Sequence, residues 1–343
     1  MDAIKNTIGE NFGGAASKLS THQFKLSDVP DLTGKVAVVT GGSEGIGYGS
    51  IHTLLEHNIS KVYVLSISAD VVKGAKGSIA KDLGEEAVNK IKWYQCDLSD
   101  WKHVKELAEE IKQDTDRIDI LINNAGRGIM TYELTDYGVD RHMAVNHFGH
   151  AVLTSHLLPL LKETAKKGDT VRIVNLASNA HAGAPSDTKF ASLEELNQDL
   201  GPNPLYGRSK LAAILYARYF TRKVTEQGHP NLIMNAVHPG LVSTKQSTHD
   251  IHEPFPILGY GVSVVMEPFK KSQFEGCVSS MFAATKTDKG GQYICPPAVP
   301  EPGSAMAQDD ALADQLMELT RKVVAEKTKK DSIDHGCPVD VSH

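Results

Sequence analysis

From Lys35 onward, short runs in which nearly every position is apolar or β-branched alternate with longer stretches where apolar residues return every three or four positions. VAVVT at 36–40 is followed by a helical pattern over 45–57, VYVLS at 62–66 by one over 69–83, and IKWYQC at 91–96 by one over 101–112. The series continues with IDILIN at 118–123, a long helix over 138–162, VRIVNL at 171–176, a helix over 205–227 and LIMNAV at 232–237. Strands apolar on consecutive positions are covered on both faces, and strand–helix alternation implies right-handed crossovers. The pattern therefore predicts an α/β chain: a doubly wound parallel sheet of Rossmann type in three α/β/α layers.

No composition break divides residues 34–297, which read as one domain that includes its own substrate loops. Residues 1–33 are polar, carry Gly13 and Gly14 and form an N-terminal arm. After Val237 the pattern turns irregular around Pro239, Pro254, Pro256 and Pro268, then gives a helix near 272–284, a turn at Lys289, Gly290 and Gly291, and a short QYIC strand. Residues 298–343 read as a tail with a charged helix over 309–330, expected to pack on the surface or against a partner subunit.

The first strand runs into T-G-G-S-E-G-I-G at 40–47 and then into a helix, so Gly41, Gly45 and Gly47 fall at a helix N-terminus. Glycines there let the backbone turn and approach a pyrophosphate, while free N–H groups and the helix dipole favour an anion. A plain turn is the competing account. Later strands end in Asp97-Leu98, Asn123-Asn124-Ala125-Gly126 and Ser178, where ligands collect in open α/β sheets. Asp97 suits an adenine amino group, and Ala125 and Gly126 would let a ribose lie against backbone. Alternatively Asp97 caps the next helix and N-N-A-G is an ordinary turn.

Tyr206 and Lys210 in Y-G-R-S-K share one helix face. An ammonium beside a phenol favours the phenolate, by about 4 kcal/mol at roughly 4 Å and an effective dielectric of about 20. Such a phenol serves as a general acid and base. Ten tyrosines and 36 Lys plus Arg in 343 positions give about one such pair by chance, so its meaning depends on Ser178 and the glycine loop.

Charge and composition narrow the classes. A formal charge of −6 provides no basic field for nucleic acid. Four scattered cysteines form neither a disulfide framework nor a zinc site, and among fifteen histidines the pair His147 and His150 lacks a further ligand, so no metal is expected. With no apolar run of about 18 residues and no basic-then-apolar start, the reading is a cytoplasmic protein without a transmembrane segment.

Together these motifs resemble the short-chain dehydrogenase/reductase family over about residues 33 to 297. TGGSEGIG, NNAG at 123–126, Asn146 in AVNHFGH, Ser178 in NLASNAH, YGRSK at 206–210 and HPGLVST at 238–244 stand in the family's order. The text around them, and the long step from Ser178 to Tyr206, resemble the branch of retinol dehydrogenases, protochlorophyllide reductases and fungal carbonyl reductases. The resemblance implies an oxidoreductase moving a hydride between a nicotinamide cofactor and a carbonyl or secondary alcohol. Tyr206 would pass the proton, Ser178 would hold the substrate oxygen, and Lys210 would act on the tyrosine and the ribose, with Asn146 supporting a water relay. Cofactor contacts would come from Gly41, Ser43, Gly45, Ile46, Gly47, Ser66, Ser68, Asp97, Leu98, Asn124, Ala125, Gly126, Pro239, Gly240, Val242 and Thr244. Dimerisation through the helices over 138–162 and 205–227 is also implied.

The second strand ends in Ser66, Ile67, Ser68, which supplies neither the Asp usual for NAD nor the Arg usual for NADP, while Glu44 would repel a 2′-phosphate. NADP(H) follows from the branch, with NAD left open. A non-catalytic dinucleotide sensor or scaffold needs only the glycine loop, and a methyltransferase has no use for the Tyr206–Lys210 pair.

Overall fold

The computed structural model describes residues 24–240, 272–329 and 337–339. Its centre is an eight-stranded sheet: β1 (Val36–Thr40), β2 (Lys61–Ser66), β3 (Ile91–Gln95), β4 (Ile120–Asn123), β5 (Val171–Leu176), β6 (Leu232–Val237), β7 (Tyr293–Cys295) and β8 (Val299–Glu301). The spatial order is β3-β2-β1-β4-β5-β6-β7-β8, parallel except for the antiparallel β7–β8 pair. In β1 the side chains of Val36 and Val38 join one core and those of Ala37 and Val39 the other. Consecutive apolar positions thus mark a strand covered on both faces, as expected of the doubly wound three-layer fold.

The helices α1 (Gly45–Glu56) and α2 (Ala69–Leu83) follow β1 and β2, and α3 (Trp101–Asp114) follows β3. Next, α4 starts at Arg141–Met143, widens into a π-helical turn over Ala144–Gly149 and continues as His150–Lys166. The long helix begins three residues later than the apolar pattern suggests because Gly138 sits at φ +67° and Asp140 caps the Met143 amide. After β5, α5 runs from Pro202 to Phe220 and passes into a π turn over Thr221–Thr225. The helix expected near 272–284 is two pieces, Gln273–Gly276 and α6 (Val278–Thr285).

Beyond β7 the chain adds β8 to the sheet and then forms α7 (Asp310–Thr328), which lies along α5. Leu316, Met317 and Val324 of α7 are fully buried, each stabilising by about 1.5–3 kcal/mol. Arg218 and Arg222 of the α5 segment pair with Asp310 and Asp314 at 2.8 and 2.7 Å, and His147 Nε2 meets Thr320 Oγ1 at 2.7 Å. One face of α5, a helix the resemblance gives to dimerisation, is therefore covered by the chain's own helix. No helix among the described residues is long and apolar enough to cross a membrane.

The strand order reverses between β1 and β4, and at that switch point their C-terminal ends open a crevice.

Candidate active site

At the crevice, Gly41 has φ +62°, and a Cβ there would come within 2.9 Å of the Ala125 Cα. A Cβ on Gly47 would lie 2.1 Å from the Gly41 carbonyl oxygen, so only glycine permits this approach of loop and helix. Glu44, at the N-cap of α1, makes no side-chain hydrogen bond to the first turn. With no side-chain cap on the first-turn amides of Gly45, Ile46 and Gly47, the turn fits the pyrophosphate of a dinucleotide.

N-N-A-G proves to be a latch rather than an ordinary turn. Asn124 Nδ2 donates to the carbonyls of Thr40 and Gly41 at 2.9 and 3.1 Å. The Asn124 and Ala125 amides both donate to Thr40 Oγ1, at 2.9 and 3.0 Å. Asp97 is not the cap of α3 either; Asp100 is, through the His103 amide, while Asp97 Oδ1 accepts from Ser99 N and Oγ. Asp97 Oδ2 lies 3.6 Å from Arg141, and Leu98 is buried with its carbonyl against Gly149.

At the end of β2, the Ser66 hydroxyl accepts from Trp93 Nε1 at 3.0 Å and Ser68 caps the Val71 amide. Between them Ile67 is 62% exposed, and its carbonyl accepts from Gln95 Nε2. Ser43 lies in the glycine loop, and Pro239 and Gly240 follow β6. Val242 and Thr244 lie outside the described residues.

The four residues expected to do chemistry lie on segments that touch one another. Lys210, only 4% exposed, donates from Nζ to the Leu176 carbonyl at 2.8 Å, and its ammonium stands 5.5 Å from the Tyr206 ring centroid. Burial pushes its pKa down to about 8. A Cβ on Gly126 would lie 3.1 Å from Asn146 Oδ1 and 3.5 Å from Lys210 Nζ, so β4, α4 and α5 meet there. Ser178 follows two residues after Leu176 and caps a 3-10 turn over Asn179–Gly183, its hydroxyl accepting from the Ala180 amide at 3.2 Å. That turn presses on the helix carrying Tyr206: a Cβ on Gly207 would lie 2.7 Å from the Ala180 carbonyl oxygen.

Asn146 sits in the π turn of α4, where Oδ1 accepts from the Arg127 amide at 2.7 Å and Nδ2 donates to the Arg127 carbonyl and to Ser209 Oγ at 2.9 and 2.8 Å. Its own carbonyl accepts from His150 Nδ1 at 3.3 Å, and Thr40 lies on the other side of that ring, Oγ1 to Nε2, at 2.9 Å. Because the carbonyl only accepts, Nδ1 carries the proton and the Thr40 hydroxyl donates to Nε2. Sequence reasoning missed Thr40, Arg127 and this role of His150. A hydroxyl at the last position of β1, pointing across a switch point, was the available signal for Thr40. Among the described residues no group of three or more His, Cys, Asp or Glu side chains could hold a metal ion.

The model of the short chain dehydrogenase family matches residues 35–193. The Neurospora crassa protein named as the mitochondrial oxidoreductase bli-4 is 58% identical over 99% of this chain and 84% of its own length. The Brassica napus short-chain dehydrogenase TIC 32 B, named as chloroplastic, is 32% identical over 94% of this chain and 97% of its own. Among solved structures, a Mycobacterium paratuberculosis protein superposes with TM-score 0.67 at 24% identity, covering 88% of this chain and 97% of that one, a likeness of fold. The two relatives overturn the expectation of a cytoplasmic protein: one carries a mitochondrial name and the other a chloroplastic one. The expectation rested on composition and on the absence of an apolar leader, neither of which distinguishes the cytoplasm from an organelle's interior.

Proposed function

The chain belongs to the short-chain dehydrogenase/reductase family, an oxidoreductase family that uses a nicotinamide dinucleotide, and on that premise we propose that it interconverts a carbonyl and a secondary alcohol with NADP(H), Tyr206 acting as general acid and base. The observation that carries this reading is the placement of Lys210, buried between the Leu176 carbonyl, Gly126 and the Tyr206 ring. An ammonium held there favours the ionised phenol.

Gly41, Ser43, Gly45, Ile46 and Gly47 would hold the pyrophosphate. Asp97, Leu98, Asn124, Ala125 and Gly126 would hold the adenosine side, with Ser66 and Ser68 beside it and Pro239 and Gly240 toward the nicotinamide. When bound, the dinucleotide supplies or takes up the hydride. The Ser178 hydroxyl then orients the substrate oxygen and Tyr206 moves a proton at that oxygen, with Lys210 restoring the charge balance and Asn146 supporting exchange with water.

NADP(H) is favoured by the branch the motifs resemble; the end of β2 holds the exposed Ile67 in place of either an acid or a base, and Glu44 in the glycine loop opposes a 2′-phosphate. The test is Tyr206→Phe: NADPH binding, read by fluorescence, stays within about twofold of wild type while carbonyl-dependent NADPH oxidation falls by at least about a hundredfold. Turnover retained in that variant would remove the proton-transfer role, and tighter binding of NADH than NADPH by the wild type would reverse the cofactor choice.

A further inference from the structure

His181 stands three residues after Ser178, and both of its ring nitrogens meet backbone groups of different segments. Nδ1 lies 2.8 Å from the Ser178 carbonyl oxygen, and the Ser304 amide, just past β8, donates to Nε2 at 3.0 Å. A carbonyl accepts and an amide N–H donates, so the two contacts are compatible only with a neutral ring carrying its proton on Nδ1. The Ser178 carbonyl also accepts from the His181 amide at 3.1 Å, which occupies both of its lone pairs. The ring is buried and packs edge-on against Tyr293 of β7, with centroids 5.0 Å apart at 73°. Gly303, at φ +72°, brings the chain in so closely that a Cβ there would lie 3.2 Å from Nε2.

We propose that His181 is a positioning residue for Ser178, and that β7, β8 and the turn to Ser304 are the outer wall that holds it. This rests on the reading that Ser178 orients a substrate oxygen. The backbone of Ser178 is fixed from behind by a donor whose own orientation is set by the Ser304 amide, so the hydroxyl is aimed before substrate arrives. A hydroxyl that drifts by about 1 Å loses up to about a hundredfold in rate, which gives such a support kinetic weight. The segment after residue 297 thereby has a part in the site as well as in the sheet.

The test uses the full chain as wild type, His181→Ala and His181→Asn. In 15N-labelled wild type, the His181 imidazole, assigned by its disappearance from the Asn variant, shows a protonated Nδ1 and an unprotonated Nε2; the opposite tautomer, or an exchange average, overturns the proposal whatever the turnover. With 9,10-phenanthrenequinone as the carbonyl probe, His181→Ala lowers kcat by at least about tenfold while the NADPH dissociation constant stays within about twofold. His181→Asn, whose amide reaches the place of Nδ1, recovers most of that loss. Wild-type kcat in the Ala variant, or a loss of kcat, NADPH affinity and thermal midpoint together without rescue by Asn, also overturns it. A wild type that binds NADPH but reduces no carbonyl would sink the reductase reading and this proposal with it, whereas the opposite tautomer in a wild type that does reduce the quinone sinks the role of His181 alone.

Discussion

The Thr40 hydroxyl and His150 Nε2 lie 2.9 Å apart across 110 residues of sequence, one at the end of β1 and the other just past the widened turn of α4. Through this contact the amides of Asn124 and Ala125, the Thr40 hydroxyl, the imidazole and the Asn146 carbonyl form one directed chain of neutral hydrogen bonds. It joins the crevice proposed for the cofactor to the asparagine of the proposed chemistry. Replacing Thr40 by the isosteric Val leaves two amides and a ring nitrogen buried without that partner, a loss of about 1–3 kcal/mol for each group stranded. Thr40→Val is expected to lower the denaturant midpoint and weaken NADPH binding, whereas Thr40→Ser keeps both near wild type. Equal behaviour of Val and Ser in chemical denaturation would show that the chain carries no energy.

Acid should destabilise the protein through its buried histidines. Burial pushes the pKa of His150 down to about 4 and that of His147 to about 3, from an ordinary value near 6.5. Between about pH 6.5 and 4 the unfolded chain binds protons at these rings and the folded chain does not, so stability falls as pH falls across that window. Each ring contributes up to about 1.4 kcal/mol per pH unit there. His147→Asn should flatten the profile of unfolding free energy against pH between 6.5 and 4 relative to wild type; an unchanged slope would mean that His147 titrates in the folded state.

Residues whose surroundings are local in sequence were legible, and those that depend on distant neighbours were not. β1, β5 and β6 coincide with VAVVT, VRIVNL and LIMNAV because a strand buried on both faces is apolar at nearly every position. β8, VPE, gives no such pattern: its proline cannot donate to a ladder and sits on the edge of the sheet, where only β7 pairs with it. The π turn at Asn146 leaves the apolar spacing of α4 almost unchanged, so the long helix was visible and its widening was not. The same division runs through the site. Tyr206 and Lys210 are four apart on one helix, while Thr40, Asn124 and His150 meet only because the strand order reverses between β1 and β4.

Cofactor choice should be adjustable at Ile67 without loss of stability. The side chain is 62% exposed at the end of β2, so a polar group there meets solvent, and the neighbouring Ser66 hydroxyl is already engaged by Trp93. Ile67→Arg adds a cation for a 2′-phosphate and should improve the NADPH-to-NADH affinity ratio by about tenfold, or 1.4 kcal/mol. Ile67→Asp should shift it the other way by a similar factor. Fluorescence titrations with both reduced cofactors read the ratio; a ratio unmoved by either charge would place the adenosine ribose away from this strand end.

Lys210 offers a case where stability and function oppose each other. Its ammonium is buried with a hydrogen bond to the Leu176 carbonyl, and its pKa of about 8 against an ordinary value near 10.5 records what burial of that charge costs. Between about pH 8 and 10.5 the unfolded chain holds a proton that the folded chain has released, so the unfolding free energy rises with pH across this interval. Lys210→Met removes the charge and keeps an unbranched apolar stem. At pH 7 its thermal midpoint without cofactor should equal or exceed that of wild type, and the difference should narrow at pH 10 as the lysine loses its proton. Carbonyl-dependent NADPH oxidation by the same variant should fall by at least about a hundredfold. A midpoint clearly below wild type at pH 7 would show instead that the bond to Leu176 outweighs the burial of the charge, and that Lys210 serves the fold as much as the chemistry.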